Sequence, residues 1–128
     1  MASFKHSTHT VTLEVPFEKA WEFLSDWRNQ PKWGKNFVKG IRQEDEQIIM
    51  TTPNGDVPIQ WRTDRAHGTI DIIMPDGSPI PSRLIEIGDS LLYMFTFSVP
   101  ADAPEKVLLN GQRGMQEELA TLKSLLEG

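Results

Sequence analysis

The chain has 128 residues, 38% of them hydrophobic and 24% charged, which suits one folded domain and excludes an intrinsically disordered chain. Its net charge of −5 disfavours nucleic acid and anionic lipid surfaces as partners, and no cluster of Lys and Arg offsets that charge. The absence of Cys excludes disulfides, thiolate metal ligands and a cysteine nucleophile, and no apolar run is long enough to span a membrane.

The first part of the chain predicts one strand and two short helices. Residues 9–15 alternate between apolar and polar side chains, as a half-buried strand does. Pro16 suits the first turn of the helix that follows, whose apolar residues at i, i+3, i+4 and i+7 are Phe17, Ala20, Trp21 and Leu24. Residues 27–36 contain Pro and Gly among polar residues, so we expect a second short helix or a turn there, carrying Trp33.

The middle of the chain predicts six further strands, at roughly residues 37–44, 47–52, 56–63, 67–74, 79–87 and 91–99. The hairpin turns are centred on Asn54-Gly55, Arg65-Ala66, Asp76-Gly77 and Gly88-Asp89-Ser90. This register pairs Met50 with Ile59, Trp61 with Ile70, Ile70 with Arg83, and Ile87 with Leu91. Because alternate side chains of a strand share a face, all four turns place the large apolar residues on the same side of one antiparallel sheet.

That shared face is the predicted ligand-binding wall. From the sheet it takes Met50, Ile59, Trp61, Ile70, Ile72, Met74, Arg83, Ile85, Tyr93, Phe95 and Phe97. Aromatic residues and Met suit an adaptable apolar pocket, although the same residues would serve equally well as a filled core.

After Phe97 the pattern predicts one long helix. Asp102 is placed to cap it, with Glu105 three residues later as the second half of a capping box. The apolar positions that follow at helical spacing are Leu108, Met115, Leu119, Leu122 and Leu126, and Gly111 falls on the same stripe. A shorter helix that begins at Gln112 is the alternative. Gly111, Met115 and Leu119 complete the predicted ligand site.

These elements predict an α+β fold in a single domain, residues 1–128. A seven-stranded curved antiparallel sheet wraps around a long C-terminal helix, and two short helices follow the first strand. The apolar face of the sheet and the apolar stripe of the helix must cover each other. The curvature of the sheet then leaves space between them.

Two segments carry a resemblance to a known family. The first is Val-Pro-Phe-Glu-Lys-Ala-Trp-Glu-Phe-Leu-Ser-Asp at residues 15–26, with Pro31 and Trp33 after it, and the second is the closing helix at residues 114–127. In element order the whole chain resembles the START/Bet v 1-like superfamily, in its bacterial polyketide cyclase/dehydrase and lipid-transport branch. The resemblance implies a helix-grip fold. It also implies binding of sterols, lipids, hormones or polyketides between sheet and helix, where a minority of members catalyse reactions.

Two polar residues fall on the predicted apolar wall. Arg83 lies beside Ile70 and Ile85 in this register, where an unpaired charge is costly. It could anchor a carboxylate or phenolate of the ligand, because its fork geometry suits such groups. Alternatively it lies at a strand end and reaches water, or a bulge turns it outward. Tyr93 is either a hydroxyl donor to the ligand or a core residue whose hydroxyl is satisfied.

The remaining candidates are weaker. Gly111 and Gly114 either leave room for a ligand under the helix or allow close packing against the sheet. His67 has no evident partner for acid–base catalysis, and His6 and His9 lie on opposite faces of a strand, so no metal site is predicted. Asp71 and Glu86 share the outer face as a weak acid–base pair.

The outer face of the sheet also carries apolar residues. They are Ile49, Ile73, Leu84, Leu92 and Met94. A cluster among them would make a homodimer interface or another interaction surface.

Three functions follow from these patterns. The preferred one is a binding module for a small hydrophobic ligand such as a lipid, a polyketide or an aromatic metabolite, with no cofactor. The second is a cyclase or dehydratase acting on a polyketide-like substrate in the same cavity, so whether the chain is an enzyme stays open. The third is a non-catalytic interaction or regulatory module. Residues 1–10 lack the apolar run of a signal peptide, so we expect a cytoplasmic protein.

Overall fold

The computed structural model describes residues 3–128; Met1 and Ala2, which begin the segment predicted to carry no signal peptide, lie outside the described residues. The strands are β1 (Phe4–Leu13), β2 (Gly40–Glu44), β3 (Gln47–Thr52), β4 (Gly55–Asp64), β5 (Thr69–Ile73), β6 (Pro79–Ile87) and β7 (Ser90–Pro100). The helices are α1 (Phe17–Leu24), α2 (Gln30–Trp33) and α3 (Glu105–Glu127), with a 3-10 turn at Trp27–Asn29.

All seven strands form one antiparallel sheet in the order β1-β7-β6-β5-β4-β3-β2. The first and last elements of the chain therefore meet at one edge, where β7 pairs with β1 and leads into α3. The predicted α+β class, with a long C-terminal helix on a curved sheet and short helices after β1, is confirmed.

The first two predicted hairpin registers are wrong by two residues. Ile59 pairs with Ile48 rather than Met50, because the turn is Pro53-Asn54 and Gly55 with its φ of 118° already pairs with Thr52. In the next hairpin Trp61 pairs with Ile72 rather than Ile70. A shift of two keeps every side chain on its predicted face, since side chains alternate with a period of two.

The register predicted for β6 is wrong by one residue, which reverses its faces. Ile70 pairs with Ser82, and Arg83 pairs with Thr69. Three residues rather than two separate Met74 from Ser78, and the Asp76 carboxylate closes this turn by accepting hydrogen bonds from the Ser78 N–H and hydroxyl at 2.9 and 2.6 Å. Ser82 and Leu84 therefore point inward, whereas Arg83 and Ile85 point outward.

The register predicted between β6 and β7 is also wrong by one residue. The two errors cancel, so the side chains of β7 lie on the faces predicted for them. Ile87 pairs with Ser90 rather than Leu91, because the turn has two residues, and Gly88 supplies the φ of 59° that the turn needs. Tyr93 and Phe95 consequently lie on the concave face as predicted.

The long form of the C-terminal helix is confirmed, and the shorter one beginning at Gln112 is wrong. Its buried residues are Met115, Glu118, Leu119, Leu122 and Leu126. The predicted Asp102 capping box is also wrong, because the helix is preceded by Pro104 and has no side-chain cap. The ring of Pro104 instead fixes the backbone φ angle at the start of the helix.

Candidate ligand-binding site

The concave face of the sheet carries two apolar clusters. The first cluster lies under α1, α2 and α3, and its buried residues are Leu13, Ala20, Trp21, Leu24, Trp33, Ile70, Leu84, Leu91, Tyr93, Phe95, Met115, Leu119, Leu122 and Leu126. The second cluster has four buried residues, Val38, Met50, Ile59 and Ile72. Trp61 and Ile80 pack against both clusters and mark the boundary between them.

Trp33 fills the centre of the first cluster. Its indole meets the ring of Tyr93 edge-on at 5.9 Å between centroids and meets Phe95 in the same way at 5.9 Å. Such edge-to-face pairs are favourable beyond the area they bury. Tyr93 and Phe95, both predicted to line a ligand pocket, are thus packed against another side chain of the protein.

Tyr93 is only 2% exposed, and burial raises the pKa of its phenol well above the ordinary value, an effect only partly offset by a hydrogen bond with the Ser82 side chain. The Ser82 hydroxyl in turn donates a 2.7 Å hydrogen bond to the Ile70 carbonyl oxygen. The Tyr93 hydroxyl therefore stays neutral and belongs to an internal polar chain.

The second cluster differs from the first in the elements that build it, because no helix contributes a buried residue to it. Its four members are themselves buried, and Val38, in the loop between α2 and β2, is the one that comes from outside the sheet. The apolar residues around the cluster are all half-buried, and we call these the rim: Ile41, Ile48, Val57, Trp61, Met74 and Ile80. Trp61 is fixed in place because its indole N–H donates a 2.8 Å hydrogen bond to the Ser25 carbonyl oxygen. The accessible apolar surface of this region therefore lies on the rim rather than on the four buried residues.

The loop that carries Val38 is tied to α3. The Glu118 carboxylate accepts a hydrogen bond from the Asn36 backbone N–H at 2.7 Å, and the Asn36 side-chain amide donates to the Gly114 carbonyl oxygen at 3.1 Å. Burial raises the pKa of Glu118, while the N–H groups of Asn36 and Phe37 partly oppose this shift. These two contacts connect α3 to the loop that contributes Val38 to the second cluster.

Glu118 is a residue that the sequence patterns missed. It lies three residues after Met115 and four before Leu122, so helical phase alone puts it on the buried stripe. A charged residue at such a position was the available signal.

The two glycines of α3 serve close packing. A Cβ at Gly111 would lie 2.7 Å from the ring of Phe97, and one at Gly114 would lie 3.2 Å from the Asn36 side-chain amide. Phe97 also stacks on His9, with 6.0 Å between ring centroids. The space under Gly111 is therefore occupied by the protein's own side chains.

The predicted role of Arg83 on the concave face is wrong, since Arg83 is exposed on the outer face. Its Nε donates a 3.1 Å hydrogen bond to the His67 carbonyl oxygen. Ile85 lies half-buried on the same outer side, so it too leaves the concave wall. The one-residue change of register accounts for both corrections.

The structure also places Asp71 and Glu86 apart, and it gives His67 a hydrogen-bond partner. Asp71 lies on the outer face, but Glu86 pairs with Leu91 on the opposite side, so the predicted acid–base pair is wrong. His67 is hydrogen-bonded to the Asp64 carboxylate at 2.8 Å, and this contact lowers the pKa of Asp64. Within residues 3–128 there is no group of three or more side chains suited to hold a metal ion.

Leu84 was predicted to lie with the apolar residues of the outer face, but it is buried in the first cluster. Ile49 and Ile73 are each 8% exposed, and Leu92 and Met94 are half-buried. The homodimer stays a prediction. In the part of the chain that the structure describes, no helix has the length and apolar character needed to cross a membrane.

Two open cavities lie at the end of the sheet where α1 begins. The larger, of about 560 Å³, is bounded by residues 16–18, 65–68 and 83–86, and the second, of about 540 Å³, by residues 12–16 and 89–90. Neither of the two lies between the concave face and α3.

Comparison with solved structures finds the same fold in several bacterial proteins. The Zhui aromatase/cyclase from a Streptomyces species aligns with a TM-score of 0.73 at 14% identity, over 98% of this chain and 94% of that one. A Bacillus halodurans protein aligns with a TM-score of 0.75 at 16% identity, over 98% and 99%. The Aha1 dimer from Colwellia psychrerythraea aligns with a TM-score of 0.67 at 18% identity, over 96% of each chain.

No family model matches the chain, and no curated protein matches it in sequence. At these identities the structural matches show a shared helix-grip type of fold.

Proposed function

We propose that the chain binds a small hydrophobic molecule on its concave face, over the second cluster and against the rim. The observation that carries this proposal is that the helices contribute buried residues to the first cluster and none to the second. The buried residues of the second cluster come from β3, β4, β5 and Val38, and the apolar rim around them is half-buried. Placing a molecule there removes apolar surface from water at about 25 cal/mol per Å².

The packing around Trp33 limits the size of the proposed ligand. Trp33 occupies the space in front of Tyr93 and Phe95. A ligand can therefore contact the second cluster and its rim, but it cannot contact these two rings of the first cluster. We therefore favour a compact aromatic metabolite or short polyketide over a long-chain lipid. The match to an aromatase/cyclase of the same fold supports this class of ligand.

The predicted site residues divide accordingly. Met74 and Trp61 lie on the rim and carry the proposed binding, and Met50, Ile59 and Ile72 are the buried residues of the second cluster behind them. Ile70, Tyr93, Phe95, Met115 and Leu119 belong to the first cluster and support the site from beneath. A polar anchor is not part of the proposal, because Arg83 lies on the other face.

Binding to an apolar fluorescent probe tests the proposal with a matched pair of variants. Met74 lies on the rim, and Met94 is half-buried on the outer face opposite Arg83. Met74→Gln removes apolar contact and is expected to weaken Nile red binding about fivefold, which corresponds to about 1 kcal/mol. Met94→Gln is expected to leave the affinity unchanged. Equal effects of the two variants, or none from Met74→Gln, would contradict concave-face binding.

Native mass spectrometry of the purified protein complements this assay. A co-purifying small molecule that is lost from Met74→Gln but retained by Met94→Gln supports the same site. The measurement also counts subunits, so it tests the predicted homodimer independently.

A further inference from the structure

We propose a second binding site, for a small monocarboxylate with an apolar body, in the 560 Å³ cavity where α1 meets the end of the sheet. The cavity lies between the start of α1, the turn from β4 to β5, and the last residues of β6. Its apolar lining comes from Pro16, Phe17, Ala66, Leu84 and Ile85. None of the residues that line this site belongs to the second cluster or its rim, so the site does not depend on the function proposed for them.

Three basic residues line the cavity, and they differ in whether a carboxylate already contacts them. Arg65 is paired with Glu18 and also lies over the ring of Phe17, at 5.5 Å from its centroid. His67 is hydrogen-bonded to Asp64. Among residues 3–128, no carboxylate lies within ion-pairing distance of Arg83.

Arg83 is held in position for an anion. Its Nε is engaged by the His67 carbonyl oxygen at 3.1 Å, and this contact leaves the terminal nitrogens of the guanidinium as donors. Those donors have the planar spacing that a carboxylate accepts in a bidentate manner.

The turn that carries the His67 carbonyl is held by two further hydrogen bonds. Gly68 has a φ of 70° and its carbonyl oxygen accepts a 2.8 Å hydrogen bond from the Leu84 N–H. The Asp64 carboxylate accepts a hydrogen bond from the His67 backbone N–H at 3.3 Å, which fixes the turn from its other side. The orientation of Arg83 is thus set before a ligand arrives, which lowers the ordering cost of binding.

An acidic residue of the lining selects for a single negative charge. Glu86 borders the cavity and makes no ion pair among residues 3–128, so a dianion such as a phosphate monoester or dicarboxylate meets more repulsion than a monocarboxylate does. The apolar lining adds contact for a short hydrocarbon or aromatic group. The favoured ligand is therefore a monocarboxylate such as a benzoate.

Titration of the protein with benzoate, followed by amide chemical shifts, tests the site. Saturable shifts are expected at Ala66, Gly68 and Leu84. Arg83→Gln is expected to weaken this binding about tenfold, and benzamide, the neutral analogue, is expected to bind wild type about as weakly as benzoate binds the variant. Arg62→Gln is the matched control, because Arg62 is exposed on β4, opposite Asp71 and outside the cavity.

The spectrum of each variant also reports its fold. Arg83→Lys keeps the charge but loses the fork, so we expect an affinity between those of wild type and Arg83→Gln. Shifts confined to the rim, the same affinity in wild type and Arg83→Gln, or equal losses in the variants at positions 62 and 83 would overturn the proposal.

Discussion

The Glu118 carboxylate accepts a hydrogen bond from the backbone N–H of Asn36 at 2.7 Å and so connects α3 to the loop that covers the second cluster. The carboxylate is buried, and its burial raises its pKa despite the N–H donors around it. Two charged groups act on its pKa: Lys39 favours ionisation, and Glu117 opposes it. One interaction thus couples the cover of the second cluster to the charge state of a single residue.

Removing this carboxylate should destabilise the fold. Glu118→Ala leaves the Asn36 N–H without its partner, at an expected cost of about 1–3 kcal/mol in the free energy of unfolding. Urea denaturation measures this, with Glu117→Ala as the control because Glu117 is exposed on the same helix. A loss no larger than that of the control would show that the contact does not hold the loop.

The raised pKa of Glu118 predicts a particular pH dependence. In the unfolded chain this carboxyl ionises near 4.5, and in the folded protein only at higher pH. Between these two values the folded state binds more protons, so the contribution of Glu118 to stability falls as pH rises and is constant above the folded-state pKa. Glu118→Gln stays neutral, so its stability relative to wild type should improve from about pH 4 to pH 7. A stability difference that does not change with pH, or that worsens, would contradict this.

The faces of most strands could be predicted from the sequence, and the exception has an identifiable cause. Apolar alternation has a period of two, so it cannot reveal a register error of two residues such as the one at Ile59, which leaves every side chain on its face. The error at Arg83 arises because a three-residue turn closed by Asp76 looks like a two-residue Asp-Gly turn in the sequence. The length of this one turn sets which face of β6 is buried.

The extent of the cavity could not be predicted in the same way. Residues 27–36 have no periodicity, so nothing in the sequence placed Trp33 against Tyr93. Apolar alternation identifies a concave wall, but an equally apolar side chain from an irregular segment can fill the space in front of it. Only tertiary packing separates the filled first cluster from the rim of the second.

The single tyrosine of the chain gives a direct test of the first cluster. Because Tyr93 is the only tyrosine, phenolate absorbance reports that residue alone. Burial raises its pKa, so no phenolate band is expected from the folded protein at about pH 11, where an exposed tyrosine is mostly ionised. The band should appear when urea is added at the same pH. A folded protein that titrates near pH 10 would show that Tyr93 is accessible to water.

Gly68 and Gly77 form a matched pair of left-handed positions. Both have positive φ, at 70° and 88°, but a Cβ at Gly68 would lie 2.0 Å from the Leu84 carbonyl oxygen while Gly77 faces open space. Gly77→Ala should cost about 1 kcal/mol from backbone strain alone. Gly68→Ala should cost about 3 kcal/mol or more, because backbone must also move. Thermal or urea unfolding of the two variants compares them, and equal costs would mean that the turn adjusts freely.

Gly111 and Phe97 should be energetically coupled. Replacing a helical Gly by Ala normally gains about 1 kcal/mol of helix propensity. Here the added Cβ would lie 2.7 Å from the Phe97 ring, which is itself stacked on His9 and so resists displacement. Gly111→Ala should therefore fail to stabilise the wild-type protein, yet stabilise the Phe97→Leu variant, whose shorter side chain frees the space.

A double-mutant cycle measures this coupling, with an expected interaction energy of about 1 kcal/mol. Gly114→Ala is the control for propensity on the same helix, because its added Cβ would meet the end of the Asn36 side chain at 3.2 Å rather than a ring. If Gly111→Ala stabilised the wild type and Phe97→Leu equally, the space under Gly111 would be free of protein, and the ligand cavity would extend beneath α3 after all.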